Sequence, residues 1–161
     1  MLTVLPFLVC YCGLTLALCR QDLLRGLLPD SLTCPLLWSG FVFYLCLAPQ
    51  RLEDAVWGAI AGYLIFALLY WLYRVFRGYE GLGYGDIKYL AALGAWHGWQ
   101  LLPQLLLVAS LLAGTVWAVS GLHARYGGSS KWRGNNPLPF GPFLAAAGFW
   151  CGCQTLASLT L

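Results

Sequence analysis

The stretch AVWGAIAGYLIFALLYWLY, residues 55–73, contains no charged side chain over 19 consecutive positions. An α-helix of that length rises about 28 Å, close to the ~30 Å hydrocarbon thickness of a lipid bilayer. Charges return directly at both ends, with Asp54 before the stretch and Arg74 after it. The stretch therefore predicts a transmembrane helix.

Similar apolar blocks lie on both sides of this stretch. The chain of 161 residues is 60% hydrophobic and only 9% charged, with a mean hydropathy of +0.72, which leaves too little charge to cover a soluble domain. The pattern predicts an all-α polytopic integral membrane protein with about six transmembrane helices, forming one membrane-embedded domain over residues 1–161. The six apolar blocks span about residues 2–19, 32–48, 55–73, 87–99, 101–121 and 140–160.

The basic residues orient these blocks, because cytoplasmic loops carry an excess of Lys and Arg. If the first block runs from outside to inside, eight of the nine basic residues face the cytoplasm and Arg51 alone lies outside. Block 87–99 is the shortest, but removing it as a crossing would send Arg125, Lys131 and Arg133 outside. The charge rule favours six crossings with both termini outside. Topology thus accounts for the net charge of +3, which indicates no nucleic-acid partner.

Only six carboxylates occur, and two of them combine proximity to the membrane with a common face. Asp22 follows the first block and Asp86 opens the fourth, so two crossings return them to the same side. Two such carboxyls brought together do not both ionise easily. One then removes a proton from water while the other protonates a carbonyl oxygen, as peptide hydrolysis requires. In the alternative interpretation, Asp22 balances Arg20 or Arg25 and Asp86 caps a helix.

A glycine-rich turn precedes the second acid. The sequence Gly81-Leu-Gly-Tyr-Gly-Asp86 places glycines at alternate positions, which allows a close backbone approach to an extended substrate. The Gly-x-Gly-x-x-Gly spacing of nucleotide loops is absent, so phosphate binding is not indicated.

The cysteines and the small residues have structural explanations. None of the seven cysteines forms a C-x-x-C pair, and a free Cys in an apolar block behaves as a small hydrophobe, so we predict no metal site, no disulfide framework and no cofactor. Glycines four residues apart predict close helix packing, and tryptophans predict contact with lipid headgroups. The glycine pairs are Gly58 and Gly62, Gly94 and Gly98, and Gly148 and Gly152. The tryptophans are Trp96, Trp99 and Trp132.

Three stretches together resemble the bacterial type IV prepilin peptidases, aspartic enzymes of the Gly-x-Gly-Asp type. The first is Asp22-Leu-Leu-Arg-Gly-Leu-Leu-Pro-Asp30, similar to the first aspartate loop of that family. The second is GYEGLGYGDIKYLAALGAW, residues 78–96, similar to the second aspartate motif, and the third is PFGPFLA, residues 139–145, similar to the segment that opens the last span. The resemblance covers nearly the whole chain from about Asp22 onward.

The resemblance implies a membrane endopeptidase of the bacterial inner membrane that removes the short basic leader from type IV prepilins or pseudopilins. Cleavage would follow a glycine at the cytoplasmic membrane edge. Asp22 and Asp86 carry over as the catalytic pair, Gly83 and Gly85 as residues that shape the active loop, and Asp30 as a structural residue at a turn or helix cap.

Further expectations concern the surroundings of this pair. Asp30 or Glu80 attracts basic residues of the leader, and Lys88 either lowers the pKa of Asp86 or pairs with lipid phosphate. Many members of the family carry an N-terminal domain with paired C-x-x-C motifs and methylate the new N-terminus, so this chain is expected to be a short form with peptidase activity only. The alternatives are an inactive relative or a membrane scaffold subunit of a pilus or type II secretion system.

Overall fold

The computed structural model of the protein describes residues 3–77, 83–125 and 139–160, and its regular structure is helical throughout. One-turn 3-10 helices at Pro49–Arg51 and Trp99–Leu101 lead into the third and fifth α-helices. The prediction of an all-α membrane protein with six helical segments is confirmed. These are α1 (Leu5–Arg25), α2 (Asp30–Leu47), α3 (Leu52–Arg77), α4 (Tyr84–His97), α5 (Leu102–Arg125) and α6 (Gly141–Thr160).

Helix α1 continues beyond the apolar block that predicted it. It ends at Arg25, six residues past the end of block 2–19, because Gly26 adopts a left-handed conformation with φ 62° and its N–H bonds to the carbonyl oxygen of Asp22 at 2.8 Å. Pro29 is then extended, and α2 begins at the next residue. Asp22 therefore lies in the last helical turn, not in the loop to which the hydropathy pattern assigned it.

Four of the helical segments in the described part of the chain are long and apolar enough to cross a membrane. Helix α4 has 14 residues and rises only about 21 Å, less than the hydrocarbon thickness. A full crossing by block 87–99 therefore stays a prediction. The four segments are Leu5–Arg25, Asp30–Leu47, Pro49–Phe76 and Trp99–Ser120.

Helix α4 is the central element, since all its residues from Tyr89 to His97 are buried. Its closest neighbour is α3, and the two backbones touch at glycines. A Cβ atom placed on Gly58 would meet the carbonyl oxygen of Gly94, and one placed on Gly62 would lie 2.8 Å from the carbonyl oxygen of Leu90. The predicted role of these glycines in helix packing is confirmed.

The central position of α4 explains why the prediction that Trp96 contacts lipid headgroups was wrong. Trp96 is not at the lipid interface: it is 4% exposed, and its indole N–H donates to the carbonyl oxygen of Leu36 at 2.8 Å. The Tyr44 hydroxyl in turn donates to the Trp96 carbonyl oxygen at 2.8 Å. Trp99, beyond the end of α4, is exposed as expected, and Trp132 lies outside the described residues.

Candidate active site

The structure brings Asp22 and Asp86 together at one end of the helix bundle. Asp22 lies in the last turn of α1 and Asp86 in the first turn of α4. Both carboxyls are buried, at 6% and 8% exposure, and the charge of Asp22 acts on Asp86. The common face predicted from the number of crossings is thus observed as a common site.

A third helix holds Asp22. The backbone N–H of Gly141, the first residue of α6, donates to Oδ2 of Asp22 at 2.8 Å. The first amides of a helix have no partner within it, and the helix N-terminus favours negative charge, so this hydrogen bond stabilises an ionised Asp22. A Cβ atom on Gly141 would lie 2.6 Å from Oδ2, which leaves room for glycine only.

Asp86 has a different environment. Its backbone N–H bonds to the carbonyl oxygen of Gly83 at 3.0 Å, and the first turn of α4 has no side-chain cap. Oδ1 is buried without a hydrogen-bond partner among the described residues, whereas Oδ2 points towards Gly83, where an added Cβ atom would be 3.2 Å away. Asp86 thus does not act as the helix cap of the alternative interpretation, and the described residues include no ion pair between Asp22 and Arg20 or Arg25.

Gly83 and Gly85 occupy close contacts around this acid. Gly83 is exposed beside Oδ2 of Asp86, at the N-terminus of α4. A Cβ atom on Gly85 would lie 2.8 Å from Cβ of Leu28, in the turn that connects α1 to α2. The absence of side chains at these two positions brings the Asp86 turn close to the segment that follows Asp22. Residues 78–82 of the glycine-rich motif, with Glu80, lie outside the described residues.

The two acids differ in what they can do with a proton. Asp86 lies just before block 87–99. Burial raises its pKa to about 7, and the negative charge of Asp22 also raises it. Asp86 is therefore about half protonated at neutral pH. Burial of the Asp22 carboxyl favours its neutral form, and the Gly141 N–H opposes that effect by favouring the charged form. One acid and one carboxylate side by side provide both groups that general acid–base catalysis needs.

Asp30 and Lys88 form an ion pair beside this site. Nζ of Lys88 lies 2.6 Å from Oδ1 and 2.7 Å from Oδ2 of Asp30, which links the start of α2 to α4. Asp30 was expected at a turn or helix cap; it is the first residue of α2, directly after the turn that follows α1, and it makes no side-chain cap. Lys88 contacts Asp30 and the ring of Tyr84, and it does not lower the pKa of Asp86 as proposed from the sequence.

Sequence reasoning gave no role to three residues near the pair. Gly141 lies in the motif PFGPFLA, residues 139–145, without a predicted role of its own. A glycine between prolines at the start of an apolar block is nevertheless a recognisable helix entry. Tyr89 and Thr15 were not singled out, because a single polar residue within an apolar block carries no distinctive pattern. Among the described residues, no group of three His, Cys, Asp or Glu side chains could hold a metal ion.

Comparison with known proteins agrees with this geometry. The model of the type IV leader peptidase family matches residues 8–119. The chain belongs to this family. The resemblance to the prepilin peptidases, inferred from the three motifs, is thereby confirmed. The protein is a peptidase that crosses the membrane several times.

Individual relatives of this leader peptidase differ in length. The chain is 56% identical over 153 residues to leader peptidase HopD of Escherichia coli, covering 94% of this chain and 95% of HopD. It is 52% identical to HopD of Salmonella typhimurium, with the same coverage. It is 50% identical over 137 residues to the prepilin leader peptidase/N-methyltransferase of Burkholderia pseudomallei, covering 85% of this chain but 42% of that protein. No solved structure matches the chain.

Proposed function

We propose that this leader peptidase is an aspartic endopeptidase that removes the leader of type IV prepilins or pseudopilins through Asp22 and Asp86. The observation that carries the proposal is the asymmetry of the pair. One buried carboxyl accepts the Gly141 N–H, and the other accepts no hydrogen bond at Oδ1 among the described residues and has its pKa raised to about 7 by burial.

The asymmetry assigns a role to each acid. Asp22 is the general base and takes a proton from water as the water oxygen attacks the carbonyl carbon of the scissile peptide bond. Asp86 is the general acid and gives its proton to the carbonyl oxygen. The resulting tetrahedral intermediate collapses as the carbon–nitrogen bond breaks, and the proton held by Asp22 passes to the leaving nitrogen. Asp86 regains its proton from the hydroxyl that becomes the carbonyl again.

The position of the pair fits a substrate cut at a membrane edge. A prepilin has a basic leader in the cytoplasm and an apolar helix in the membrane, with a glycine before the cleavage point. The exposed Gly83 lets an extended segment approach Oδ2 of Asp86, and a substrate glycine adds no side chain to the contact. Placing this end of the bundle at the cytoplasmic face of the inner membrane agrees with the distribution of Lys and Arg. Membrane lipid is the other expected partner, and we expect no nucleic-acid partner because topology already accounts for the basic residues.

We further propose that the protein cleaves without methylating. Its match to the prepilin leader peptidase/N-methyltransferase covers only 42% of the Burkholderia protein. None of the seven cysteines of the chain stands in a C-x-x-C pair. The mass of the cleaved pilin tests this point, since a methyl group on the new N-terminus would contradict it.

The decisive experiment uses the detergent-purified protein and a membrane-spanning prepilin, with the product mass as the readout. The intact chain is expected to release the leader after a glycine, and Asp22→Asn and Asp86→Asn are expected to release none. Asp54→Asn is the matched control, because Asp54 is a carboxylate at the other end of the bundle that accepts from Trp99 and Gln100. If folded intact protein cleaves none of several prepilins, the inactive relative or the scaffold subunit becomes the better conclusion.

A further inference from the structure

Three buried oxygen atoms lie without hydrogen-bond partners among the described residues: Oγ1 of Thr15, Oδ1 of Asp86 and the hydroxyl oxygen of Tyr89. They do not lie scattered through the protein. Tyr89 follows Asp86 by three residues on α4, which puts both on one helix face. Thr15 precedes Asp22 by seven residues on α1, which again corresponds to one face.

The hydroxyl of Thr15 lies near the hydroxyl of Tyr89 across the two helices, and near that of Tyr11, which is hydrogen-bonded to Nε2 of His97 at 3.1 Å. Thr15 and Tyr89 are both 0% exposed, and neither hydroxyl makes a hydrogen bond of ordinary geometry with the described residues. The charges of Asp22 and Asp86 both act on Tyr89, so this small polar region lies directly beside the catalytic pair. It faces the interior of the bundle, since Leu18 and Leu90 close by in the sequence are fully buried.

Buried polar groups in proteins are nearly always hydrogen-bonded, and internal water is the usual partner where protein groups do not suffice. An internal water typically makes about three hydrogen bonds. Three orphaned oxygen atoms on three side chains match that number. Two hydroxyls and one carboxyl do not form a metal-ligand set among the described residues and offer no positive charge to an anion, so the region suits water better than either kind of ion.

We propose that Thr15, Tyr89 and Asp86 bind an internal water molecule on the interior side of the catalytic pair, and that Tyr89 is a positioning residue that acts through this water. The catalytic part of this inference rests on the proposed function. The water donates to Oδ1 of Asp86 and fixes the carboxyl plane. Oδ2, which points towards Gly83 and the exposed turn, then carries the proton that goes to the substrate.

The test compares two hydroxyl deletions with a matched control. Tyr89→Phe removes a hydroxyl that makes no bond to the described protein, so the midpoint of thermal unfolding should stay unchanged or rise slightly. Its kcat should fall about tenfold, the effect of losing one hydrogen bond in the transition state, while KM changes little. Thr15→Val should act in the same direction. The control, Tyr44→Phe, deletes a buried hydroxyl that donates to Trp96, so it should lower the unfolding midpoint and leave kcat unchanged.

A second readout does not depend on cleavage. The infrared C=O stretch of protonated Asp86, identified as the band that Asp86→Asn abolishes, should move to higher wavenumber in Tyr89→Phe and Thr15→Val. It should not move in Tyr44→Phe. An unmoved band together with unchanged kcat in both hydroxyl deletions would overturn the water site. If the intact protein cleaves no prepilin, the proposed function fails, and the band alone still decides whether the water site exists.

Discussion

The amide nitrogen of Gly141 lies 2.8 Å from Oδ2 of Asp22, so the first turn of α6 supports a carboxyl carried by the last turn of α1. The two residues are 119 positions apart in the sequence. The contact makes the start of α6 part of the site, so a substitution of Gly141 should affect Asp22.

Gly141→Ala should abolish most of the cleavage activity. The added methyl group would lie 2.6 Å from Oδ2 of Asp22, so the carboxyl or the helix must move. A displacement of about 1 Å at a catalytic group lowers the rate roughly 100-fold. Gly114→Ala in α5 is the control, because nothing lies within 4 Å of its added methyl group. Equal kcat/KM for both variants would mean that the amide of Gly141 does not position Asp22.

The rate of cleavage should fall as the pH rises above about 7, because Asp86 then loses the proton that the proposed mechanism transfers to the substrate carbonyl. The measurement is kcat/KM against pH with a prepilin substrate in detergent, since kcat/KM reports the pKa values of the free enzyme. A rate that stays constant well above pH 8 would assign the acid role to another group.

The stability of the folded protein should also depend on Asp86. The pKa of this carboxyl is about 7 in the folded protein and about 3.9 in an unfolded chain, so the folded state binds more protons between these values. The free energy of unfolding therefore falls as the pH rises from about 4 to 7, by up to about 4 kcal/mol for this one group. Asp86→Asn should remove that dependence.

Unfolding titrations of both proteins at several pH values, in mixed micelles of mild detergent and dodecyl sulfate, measure this difference. The Asp86→Asn variant should equal or exceed the intact protein in stability at pH 8, and the gap should close near pH 4. Parallel curves for the two proteins across this range would show that Asp86 is not desolvated in the folded state.

The ion pair between Lys88 and Asp30 should contribute little to catalysis. Asp30 is more than half exposed, and pairs of this kind stabilise proteins by at most about 1 kcal/mol. A double-mutant cycle of Lys88→Gln and Asp30→Asn should therefore give a coupling energy below ~1 kcal/mol, with kcat within about threefold of the intact protein. A much larger loss of kcat would place Lys88 in the catalytic machinery.

The helices were predictable because each apolar block corresponds to one helix within a few residues. The meeting of Asp22 and Asp86 was also predictable, since an even number of crossings returns a chain to the same face. The end of α1 was not: the residues from Arg20 to Arg25 are too polar for a hydropathy pattern to include, yet they continue the helix until Gly26 stops it.

Long-range contacts set the rest of the site, and sequence patterns do not encode them. The hydrogen bond from Gly141 depends on how α6 packs against α1. The burial of Trp96 depends on α4 being surrounded by its neighbours, whereas its place near the end of an apolar block indicated a lipid interface. The three orphaned oxygens become a group only when the facing sides of α1 and α4 are known.

The glycine contact between α3 and α4 also limits the routes by which a pilin can enter. At Gly58 and Gly94 the two helices touch through their backbones, with no side chain between them that could swing aside. A substrate helix that entered between α3 and α4 would have to separate these backbone contacts, which continue along α3 from Gly58 to Gly62. The transmembrane helix of a pilin must therefore enter between other helices than α3 and α4. Crosslinks that hold α3 to α4 should leave the rate of pilin cleavage unchanged.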